Sequence, residues 1–394
     1  MNREDLFVRM DRENNREYML ARIEKRTRKL TAKDRVIYRL NRLALPVGFD
    51  SSKKTIAVYG DRLGDFIKEL SQDYNIVVFG GLNGVPMKTA WSMGIHYITY
   101  RKWQRHLAEG YMQDDMNLVD REIADIEKLF RRLKIRFLIF TDFSPTIQRA
   151  FCLAAKNLNI PIAHYEHTCI YNFWNDEEAL RFFQTYAKEF TDTFWYWSKK
   201  NQEKIISKGI ADRDQSIVIG YPYKVKRLDM EKKNSILWIG DGETHTSKNP
   251  EVYYKLVETV FEYCRKQNIE FTYRPHPREK KPFYAGLIEK GMPISSKSLA
   301  EDLEGNKIVI GGKTTCVLEA GLYEDIVIQI NWDPEIVGAY LFDNAYVLGD
   351  QPDQLILMLE KALAGEIQAK EVPEESLLIG GCAQRAKQAI EDAL

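Results

Sequence analysis

The segment SILWIGDGETHTSKNPEVYYKLVETVFEYCRKQNIEFTYRPHP, residues 235–277, decides the predicted fold. Each end is a short apolar run typical of a buried strand, and the middle, residues 250–268, has the composition of a helix. Pro250 directly follows Asn249 and the polar sequence Lys-Gln-Asn closes the segment, which are features that suit helix termini. The sequence therefore predicts a strand, a helix and a second strand, which is the repeating unit of a parallel sheet.

The same alternation extends in both directions along the chain. Upstream, strand-like apolar runs occur at residues 55–60, 75–80, 136–142, 161–167, 193–198 and 216–221. Downstream, they occur at residues 307–312, 325–331 and 345–349. Helix-like segments such as residues 120–133 and 146–158 separate several of these runs. Strands that alternate with helices predict an α/β fold, in which helices cover both faces of a parallel sheet.

A polar, charged linker, residues 224–234, divides the strands into two sets. We therefore predict two Rossmann-like, doubly wound α/β domains that face a central cleft. The first spans residues 49–223 and the second spans residues 235–380, and a C-terminal helix follows at residues 381–394. Because a chain of 394 residues is too long for one ordinary core, its length also predicts two domains.

Residues 1–48 form a basic block that is rich in helix formers, with 13 Lys or Arg against 7 Asp or Glu. Apolar residues at helical spacing between Leu30 and Leu45 give this block one apolar face. We predict a helical N-terminal arm, for which two interpretations stay open. The arm either packs on the body of the protein or lies peripherally on a membrane surface of anionic lipid headgroups.

The composition argues against several classes of protein. The 57 Lys and Arg balance the 57 Asp and Glu, and a chain without net charge is not typical of a general nucleic-acid binder. The five cysteines are scattered without a CxxC pair, which is typical of reduced thiols in the cytosol. No apolar run reaches the roughly 20 residues of a membrane span. We expect a cytoplasmic protein, either free or at the inner face of the cytoplasmic membrane.

Three strand ends carry the candidate chemistry, because ligands of open α/β sheets bind beyond the carboxyl ends of the strands. The first is YRPHPREKK, in which two prolines stiffen the loop around His276. Arg274 and His276 are candidate ligands of a phosphate group, and Pro277 aims the histidine. His276 is also a candidate catalytic residue, because it can offset the charge that develops as a phosphate leaves. The alternative is a histidine that only orders its own loop.

The second strand end is KIVIGGKTTCVLEAGLY, in which Gly311 and Gly312 end a strand and Thr314 and Thr315 begin a helix. Glycines let a backbone approach a ligand, and free N–H groups with threonine hydroxyls make an anion site. A P-loop is excluded, because the glycine that the motif requires five positions before Gly312 is a lysine. Glu319, about one turn into the helix, is a candidate ligand of a ribose hydroxyl; the alternative is a solvated helix glutamate.

The third strand end is IAHYEHT, in the predicted N-terminal domain. Period-2 alternation places His164 and Glu166 on one face and His167 on the other, which disfavours a two-histidine metal site. No zinc motif and no acidic pair at a strand end occurs, so we predict neither a metal nor a cofactor. Glu166 is a candidate general base for deprotonating a hydroxyl, and a purely structural pair of His164 with Glu166 is the alternative.

Two weaker candidates, Asp241 and His245, follow the first strand of the second domain. They are candidate contacts for a donor or an acceptor substrate, as are His164 and His167; for Asp241 and His245 an ordinary turn is the alternative. The glycine-bearing turns at residues 60–64 and 80–84 do not match GxGxxG, so the sequence does not support a dinucleotide site.

These segments together resemble the bacterial glycosyltransferases of the two-Rossmann, GT-B type that carry a His-Pro motif. That group includes sialyltransferases, capsule Kdo transferases and teichoic-acid transferases that use CDP-glycerol. His276-Pro277 matches the motif, and Thr314-Thr315 lies where the sialyltransferases have a serine pair. Glu166 lies where their acidic motif supplies the base, but His167 and Thr168 replace its second acid and its glycine.

The resemblance implies an inverting, metal-independent glycosyltransferase that uses a CMP-, CDP- or UDP-linked sugar to extend a bacterial cell-surface polysaccharide. The second domain would bind the nucleotide, and Glu166 would take the proton of a lipid-linked or oligosaccharide acceptor. Two alternatives stay open. One is a non-hydrolysing nucleotide-sugar epimerase, which shares the fold and needs acids and histidines that converge on the sugar. The other is a non-catalytic partner of a glycan assembly complex.

Overall fold

The structure of the chain is a computed structural model. It describes residues 49–59, 63–79, 94–98, 100–113, 115–141, 146–166, 190–209, 211–245, 249–277, 279, 281–333 and 342–394, together with Ala32 and Val36. The predicted arm, residues 1–48, lies outside these ranges apart from those two residues, so its role stays a prediction. Within the described ranges, no helix combines the length and the apolar character that crossing a membrane requires.

The chain forms two compact units. The described residues up to 223, together with residues 378–394, make the first unit, and residues 224–377 make the second.

The first unit contains a sheet of seven parallel strands, sheet A, in the order β3-β2-β1-β4-β5-β6-β7. Its strands are β1 (Thr55–Tyr59), β2 (Asn75–Phe79), β3 (Ile95–Ile98), β4 (Ile135–Phe140), β5 (Ile162–Tyr165), β6 (Thr193–Tyr196) and β7 (Ser216–Val218). Its helices up to β7 are α1 (Gly64–Leu70), α2 (Arg101–Met112), α3 (Met116–Leu133), α4 (Thr146–Asn157) and α5 (Lys199–Ser207). This strand order contains the order of the Rossmann fold.

Burial explains why these runs form strands of a parallel sheet. Every residue of β1 and β2 is buried, so both faces of each strand are covered, as parallel sheets require. The sequence analysis missed β3, because His96 and Tyr97 interrupt its apolar pattern. An edge strand such as β3 tolerates this composition since it pairs with a neighbour on one side only.

The second unit contains a sheet of five parallel strands, sheet B, in the order β12-β11-β10-β8-β9. Its strands are β8 (Lys233–Ile239), β9 (Phe271–Arg274), β10 (Asn306–Gly311), β11 (Ile326–Ile330) and β12 (Ala345–Leu348). Its helices are α6 (Pro250–Gln267), α7 (Lys281–Glu289), α8 (Leu299–Gly305), α9 (Thr315–Gly321) and α10 (Pro352–Ala364). This is the other common doubly wound order, in which the first and third strands are neighbours.

The predicted strand–helix–strand unit is confirmed as β8, α6 and β9. Proline occupies the first position of α6, and the helix ends at Asn268, whose left-handed backbone (φ 55°) closes the last turn. Tyr253 and Val257 of α6 are fully buried against the sheet, and the indole N–H of Trp238 in β8 donates to the Tyr253 hydroxyl at 2.8 Å. Sheets A and B together confirm the predicted fold class, two Rossmann-like α/β domains.

The last helix, α11 (Cys382–Ala393), returns to the first unit. Its Glu391 accepts hydrogen bonds from Lys54 at 2.5 Å and from the Tyr74 hydroxyl at 2.6 Å. At its start, Cys382 Sγ lies 2.9 Å from the hydroxyl of Tyr165 in β5. The sequence predicted a helix here. It did not predict that this helix belongs to the first unit, whose other described residues all precede residue 224.

Candidate active site at the carboxyl edge of sheet B

The candidate site lies where the strand order of sheet B reverses, between β8 and β10. Neighbouring strands whose connections lead away in different directions leave a crevice at their carboxyl ends, and ligands of open α/β sheets bind in it. Turns at this edge supply polar groups from four strands. They are Asp241 after β8, His276 after β9, Lys313 after β10 and Trp332 after β11.

Asp241 joins three of these turns. The residue is wholly buried, and its Oδ2 accepts hydrogen bonds from the Lys313 backbone N–H at 2.8 Å and the Trp332 indole N–H at 2.9 Å. A Cβ atom on Gly312 would lie 2.2 Å from the same oxygen, so only glycine lets the turn after β10 approach this closely. The geometry explains why the strand ends in two glycines.

His276 packs over the turn that follows β8. A Cβ atom on Gly242 would lie 2.6 Å from Cε1 and 2.7 Å from Nδ1 of the imidazole, so the ring rests on the bare backbone of that glycine. Pro277, which follows, is exposed. The prolines on either side restrict the backbone, and the missing side chain of Gly242 makes room for the ring.

Glu279 holds the loop around His276 in place. Its Oε2 accepts from the His276 backbone N–H at 2.6 Å, and its Oε1 lies within hydrogen-bond distance of the hydroxyls of Tyr273 (2.5 Å) and Tyr254 (2.8 Å). A Cβ atom on Gly240 would lie 2.0 Å from Oε2, so the carboxyl group also packs directly on the end of β8. Asp241, His276 and Glu279 are called the edge cluster below.

Burial raises the pKa of the Glu279 carboxyl from 4.5 to about 7. The hydrogen bonds from Tyr273, His276 and Tyr254 lower the pKa, but by less, and the negative charge of Asp241 raises it further. Near neutral pH this carboxyl group is therefore present in both its protonated and its ionised form.

The turn after β10 forms as the glycine and threonine pairs predict. The side chain of Thr314 caps α9, and its Oγ1 accepts from the Cys316 N–H at 3.4 Å. Thr315 is the first residue of α9, and Glu319 lies in the same helix, half-buried. Gly311, the last residue of β10, leaves room for Val317, whose Cγ2 would lie 2.7 Å from a Cβ atom at position 311.

Arg274 lies on the other face of β9 from Tyr273, because successive side chains of a strand alternate. Its guanidinium group donates to Asp302 Oδ2 at 2.7 Å and to the Lys297 carbonyl at 2.8 Å. The carboxylate of Asp302 is buried, so this ion pair ties β9 to α8. The structure therefore does not bring Arg274 to the edge cluster, and its phosphate-binding role stays a prediction.

In the first unit, Glu166 follows β5 and is wholly buried. Its Oε2 accepts from the Trp197 backbone N–H at 2.9 Å, and its Oε1 accepts from the Asn201 side-chain amide at 2.7 Å. Both carboxylate oxygens thus have a donor within the same domain. This gives Glu166 the geometry of an anchor for the turn after β6, and its role as a general base stays a prediction.

The remaining predicted residues are histidines. His164 is buried in β5, with its ring 5.2 Å from that of Phe140 and 6.2 Å from that of Phe194. His167 lies outside the described ranges. His245 ends the short 3-10 turn Gly242–His245 at the carboxyl edge of sheet B, and only its backbone is described.

The sequence analysis missed Glu279, Tyr254 and Trp332. Glu279 stands among Arg278, Lys280 and Lys281 in the sequence, so its carboxyl group reads as part of a solvated charge run. The available signal was its spacing, since a carboxyl group three residues after His276 can reach back to that residue's N–H. The two aromatic residues come from distant parts of the chain, and only the folded structure brings them to Glu279 and Asp241.

Several solved structures with the same fold are UDP-GlcNAc 2-epimerases. The enzyme from Methanocaldococcus jannaschii superposes with a TM-score of 0.59 at 14% identity, over 86% of this chain and 99% of that one. The putative enzyme from Listeria monocytogenes superposes with a TM-score of 0.58 at 13% identity, over 86% of this chain and 96% of that one. The Neisseria meningitidis enzyme bound to UDP-GlcNAc superposes with a TM-score of 0.55 at 15% identity, over 86% of this chain and 99% of that one. At these identities the likeness shows the GT-B fold alone. No family model and no curated protein matches the sequence.

These comparisons correct the main functional prediction. The His-Pro motif favoured an inverting glycosyltransferase of surface polysaccharides, but the similar structures are 2-epimerases, which match the first alternative. The prediction failed because one fold hosts both chemistries, and a phosphate-binding motif does not tell them apart. Of the resemblance itself, the shared two-domain GT-B fold is confirmed.

Replacing Gly242 by alanine is expected to move the imidazole of His276 without unfolding the protein. The new Cβ atom would meet only the tip of a side chain, which can turn away. The measurement is the ¹H–¹³C NMR signal of the His276 ring, assigned by its loss in His276→Gln. Gly286→Ala is the matched control, since a Cβ atom there meets nothing within 4 Å. An unchanged His276 signal in Gly242→Ala would show that the ring does not rest on Gly242.

Replacing Glu166 by alanine is expected to lower the free energy of unfolding by about 1–3 kcal/mol, because two buried N–H donors lose their acceptor. Urea denaturation measures the loss. The control is Glu203→Ala on α5, whose exposed carboxylate pairs with Arg213 and is expected to change stability by less than about 0.5 kcal/mol. A Glu166→Ala protein as stable as wild type would show that the carboxylate is not an anchor and would favour the base.

Proposed function

We propose that this protein is a nucleotide-sugar epimerase of the non-hydrolysing type, with proton-transfer groups at the carboxyl edge of sheet B. One observation carries the proposal. The wholly buried carboxyl group of Asp241, the partly buried carboxyl group of Glu279 and the imidazole of His276 converge at the topological switch point of one sheet. An epimerase requires such a convergence of acids and histidines on its sugar.

The chemistry explains why a carboxyl group with a pKa of about 7 suits this reaction. Inversion at the sugar C2 can proceed by loss of its proton, with the electron pair of the C–H bond forming a C1–C2 double bond as the nucleotide leaves C1, followed by re-addition of the nucleotide and return of a proton to the opposite face of C2. A group that transfers protons works best when its pKa lies near the operating pH. Ionised Glu279 can accept a proton and protonated Glu279 can donate one, so this carboxyl group is competent as base or as acid on one face of the sugar.

The nucleotide site that we propose is the adjacent turn after β10. Gly312 brings the backbone close to Asp241, and Thr314 and Thr315 begin α9 beside it. The M. jannaschii and N. meningitidis 2-epimerases have been solved with UDP-GlcNAc, so a UDP-sugar is the ligand class that we propose here. An epimerase needs no acceptor, so this proposal does not include the lipid-linked acceptor that a transferase requires.

We also propose that the protein acts in the cytoplasm, where nucleotide-sugars are made. The four cysteines in the described part of the chain are free thiols, which agrees with a reducing compartment. The expectations that the reaction uses no metal or cofactor, and that residues 1–48 bind membrane, stay predictions.

Incubation with UDP-GlcNAc in D₂O is expected to produce the C2 epimer and to replace the C2 hydrogen by deuterium, because the C2–H bond must break. ¹H NMR of the nucleotide-sugar measures both changes. Glu279→Gln, which cannot ionise, is expected to slow exchange at least about 100-fold while UDP still binds. Glu258→Gln is the matched control and is expected to keep the wild-type rate, since the Glu258 carboxylate pairs with Lys290, the residue after α7.

The thermal shift of the protein with UDP distinguishes a failure of the proposed epimerase chemistry from a failure of the proposed nucleotide site. A site that binds UDP is expected to stabilise the protein by about 2.7 kcal/mol at a hundredfold excess over Kd. Stabilisation by UDP without deuterium exchange would overturn the epimerase and favour a non-catalytic nucleotide-sugar protein. The absence of stabilisation by UDP, CDP, CMP and GDP alike would overturn the nucleotide site itself.

A further inference from the structure

The fold sorts the charges of helix α3 between its inner and outer faces. The sequence of this helix is balanced, with four Asp or Glu against four Lys or Arg. Each of the four acids is buried or half-buried. The exposed residues of the helix are Asn117, Arg121, Ala124, Lys128, Arg131 and Arg132. The exposed face of α3 therefore carries four cations and no acid.

Two of the acids are held on the inner side by partners from α2. Glu122 Oε1 lies 2.7 Å from Nδ1 of His106, and Asp125 Oδ2 accepts from the Trp103 indole N–H at 3.0 Å. These contacts direct the two carboxyl groups toward α2. The cations on the outer face are left without acidic neighbours that are equally exposed.

Two more exposed cations, Lys134 and Arg136, follow directly at the end of α3 and in β4. The basic stripe is defined by six residues, Arg121, Lys128, Arg131, Arg132, Lys134 and Arg136. Within the described ranges, four of them form no ion pair: Arg121, Lys128, Lys134 and Arg136. Arg131 pairs with Glu127 at 3.4 Å, but its side chain stays 62% exposed. The helical part of the stripe is about 17 Å long, at 1.5 Å per residue.

Helix stability does not account for the basic stripe. Cations in the last turn of a helix interact favourably with its dipole, which explains Arg131 and Arg132. Arg121 and Arg136 lie outside that turn. Lys128 also stands three and four residues before two arginines, and like charges at this spacing destabilise a helix. An anionic surface against the stripe would remove this repulsion.

The chain that leads from residues 1–48 enters the first unit beside the basic stripe. Thr55 of β1 pairs with Ile135 of β4 in parallel register, so the residue before Thr55 is a neighbour of Lys134. Residues 1–48 are basic in sequence, with apolar residues at helical spacing. Two adjoining basic segments, one of them amphipathic, are typical of proteins that lie on anionic membranes. The absence of net charge on the whole chain disfavours nucleic acid as the partner.

We propose that the basic stripe binds the surface of an anionic lipid bilayer, with its guanidinium and ammonium groups on the phosphates of the headgroups. The contact is peripheral, because the cations lie on one exposed helix face and at the strand end beside it. The membrane role of residues 1–48 stays a separate prediction, and the stripe does not require it. The proposal is also independent of the epimerase chemistry, whose proposed groups belong to the second unit.

Co-sedimentation of the full chain with lipid vesicles tests the proposal. The protein is expected to bind vesicles that contain phosphatidylserine, to bind phosphatidylcholine vesicles weakly, and to dissociate as salt screens the charges. Arg121→Gln/Lys128→Gln is expected to lower partitioning onto the anionic vesicles about 25-fold, since each Lys or Arg near such a surface contributes roughly a factor of five. Both positions are exposed and glutamine is a good helix former, so the variant is expected to fold.

Lys255→Gln/Lys266→Gln is the matched control. It removes the same charge from α6 in the second unit, where both lysines are exposed and have no ion pair among the described residues. Its binding to anionic vesicles is expected to equal that of wild type. An equal loss in both double variants would show that only net charge matters, and would overturn the proposal. Unchanged binding of the α3 variant, or no binding of wild type to anionic vesicles, would overturn it as well.

Two competitors identify other partners for the same cations. Glycerophosphoserine, which has the headgroup phosphate without acyl chains, is expected not to displace the protein from vesicles. Its displacement of the protein would indicate a site for a small phosphate ligand, and tighter binding to duplex DNA that the α3 variant loses would indicate a nucleic-acid surface. Either result would overturn the proposal. These measurements need no turnover, so their outcome does not depend on the proposed function.

Discussion

The burial of the Glu279 carboxyl group among hydrogen-bond donors is the interaction on which the carboxyl edge of sheet B depends. It fixes the loop that carries His276, and it requires the bare backbone of Gly240 beneath it. Desolvation makes the ionised form costly, and the three donors offset only part of this cost. The result is a carboxyl group that changes its charge near neutral pH at the edge where doubly wound sheets bind ligands.

The two edges of sheet B show how different partners give buried acids different tasks. At the amino edge, burial raises the pKa of Asp325 to about 8, but Lys232 forms an ion pair with it and opposes the shift. Lys232 belongs to the segment that enters the second unit, so this pair ties that segment to the sheet. Glu279 has tyrosine hydroxyls where Asp325 has a cation. Among the described residues, its charge is therefore set by burial and hydrogen bonds rather than by an ion pair.

The sequence predicted most of the fold and part of the site. Apolar runs and the helix signals around Pro250 identified every strand of sheet B, because the central strands β8, β10 and β11 are largely buried and apolar. The rule that ligands bind beyond the carboxyl ends of parallel strands identified His276 and Gly312 as candidate site residues. Glu279 was not predicted, because the basic residues beside it in the sequence make it look like part of a solvated charge run. Its partner Tyr254 also lies 25 residues away in the sequence. The main functional prediction was wrong as well, since a His-Pro motif does not tell transferases from epimerases on a fold that hosts both.

The most direct test of this account is the pH dependence of the free energy of unfolding, compared between wild type and Glu279→Gln. A carboxyl group whose pKa is higher in the folded protein contributes its full stability below the ordinary value, and that stability is lost as the pH rises through the folded value. We predict that wild type loses stability relative to Glu279→Gln between about pH 5 and pH 7.5 and not above. The contribution of Asp325 cancels, because both proteins contain it. A difference that stays constant from pH 5 to pH 8 would contradict the account.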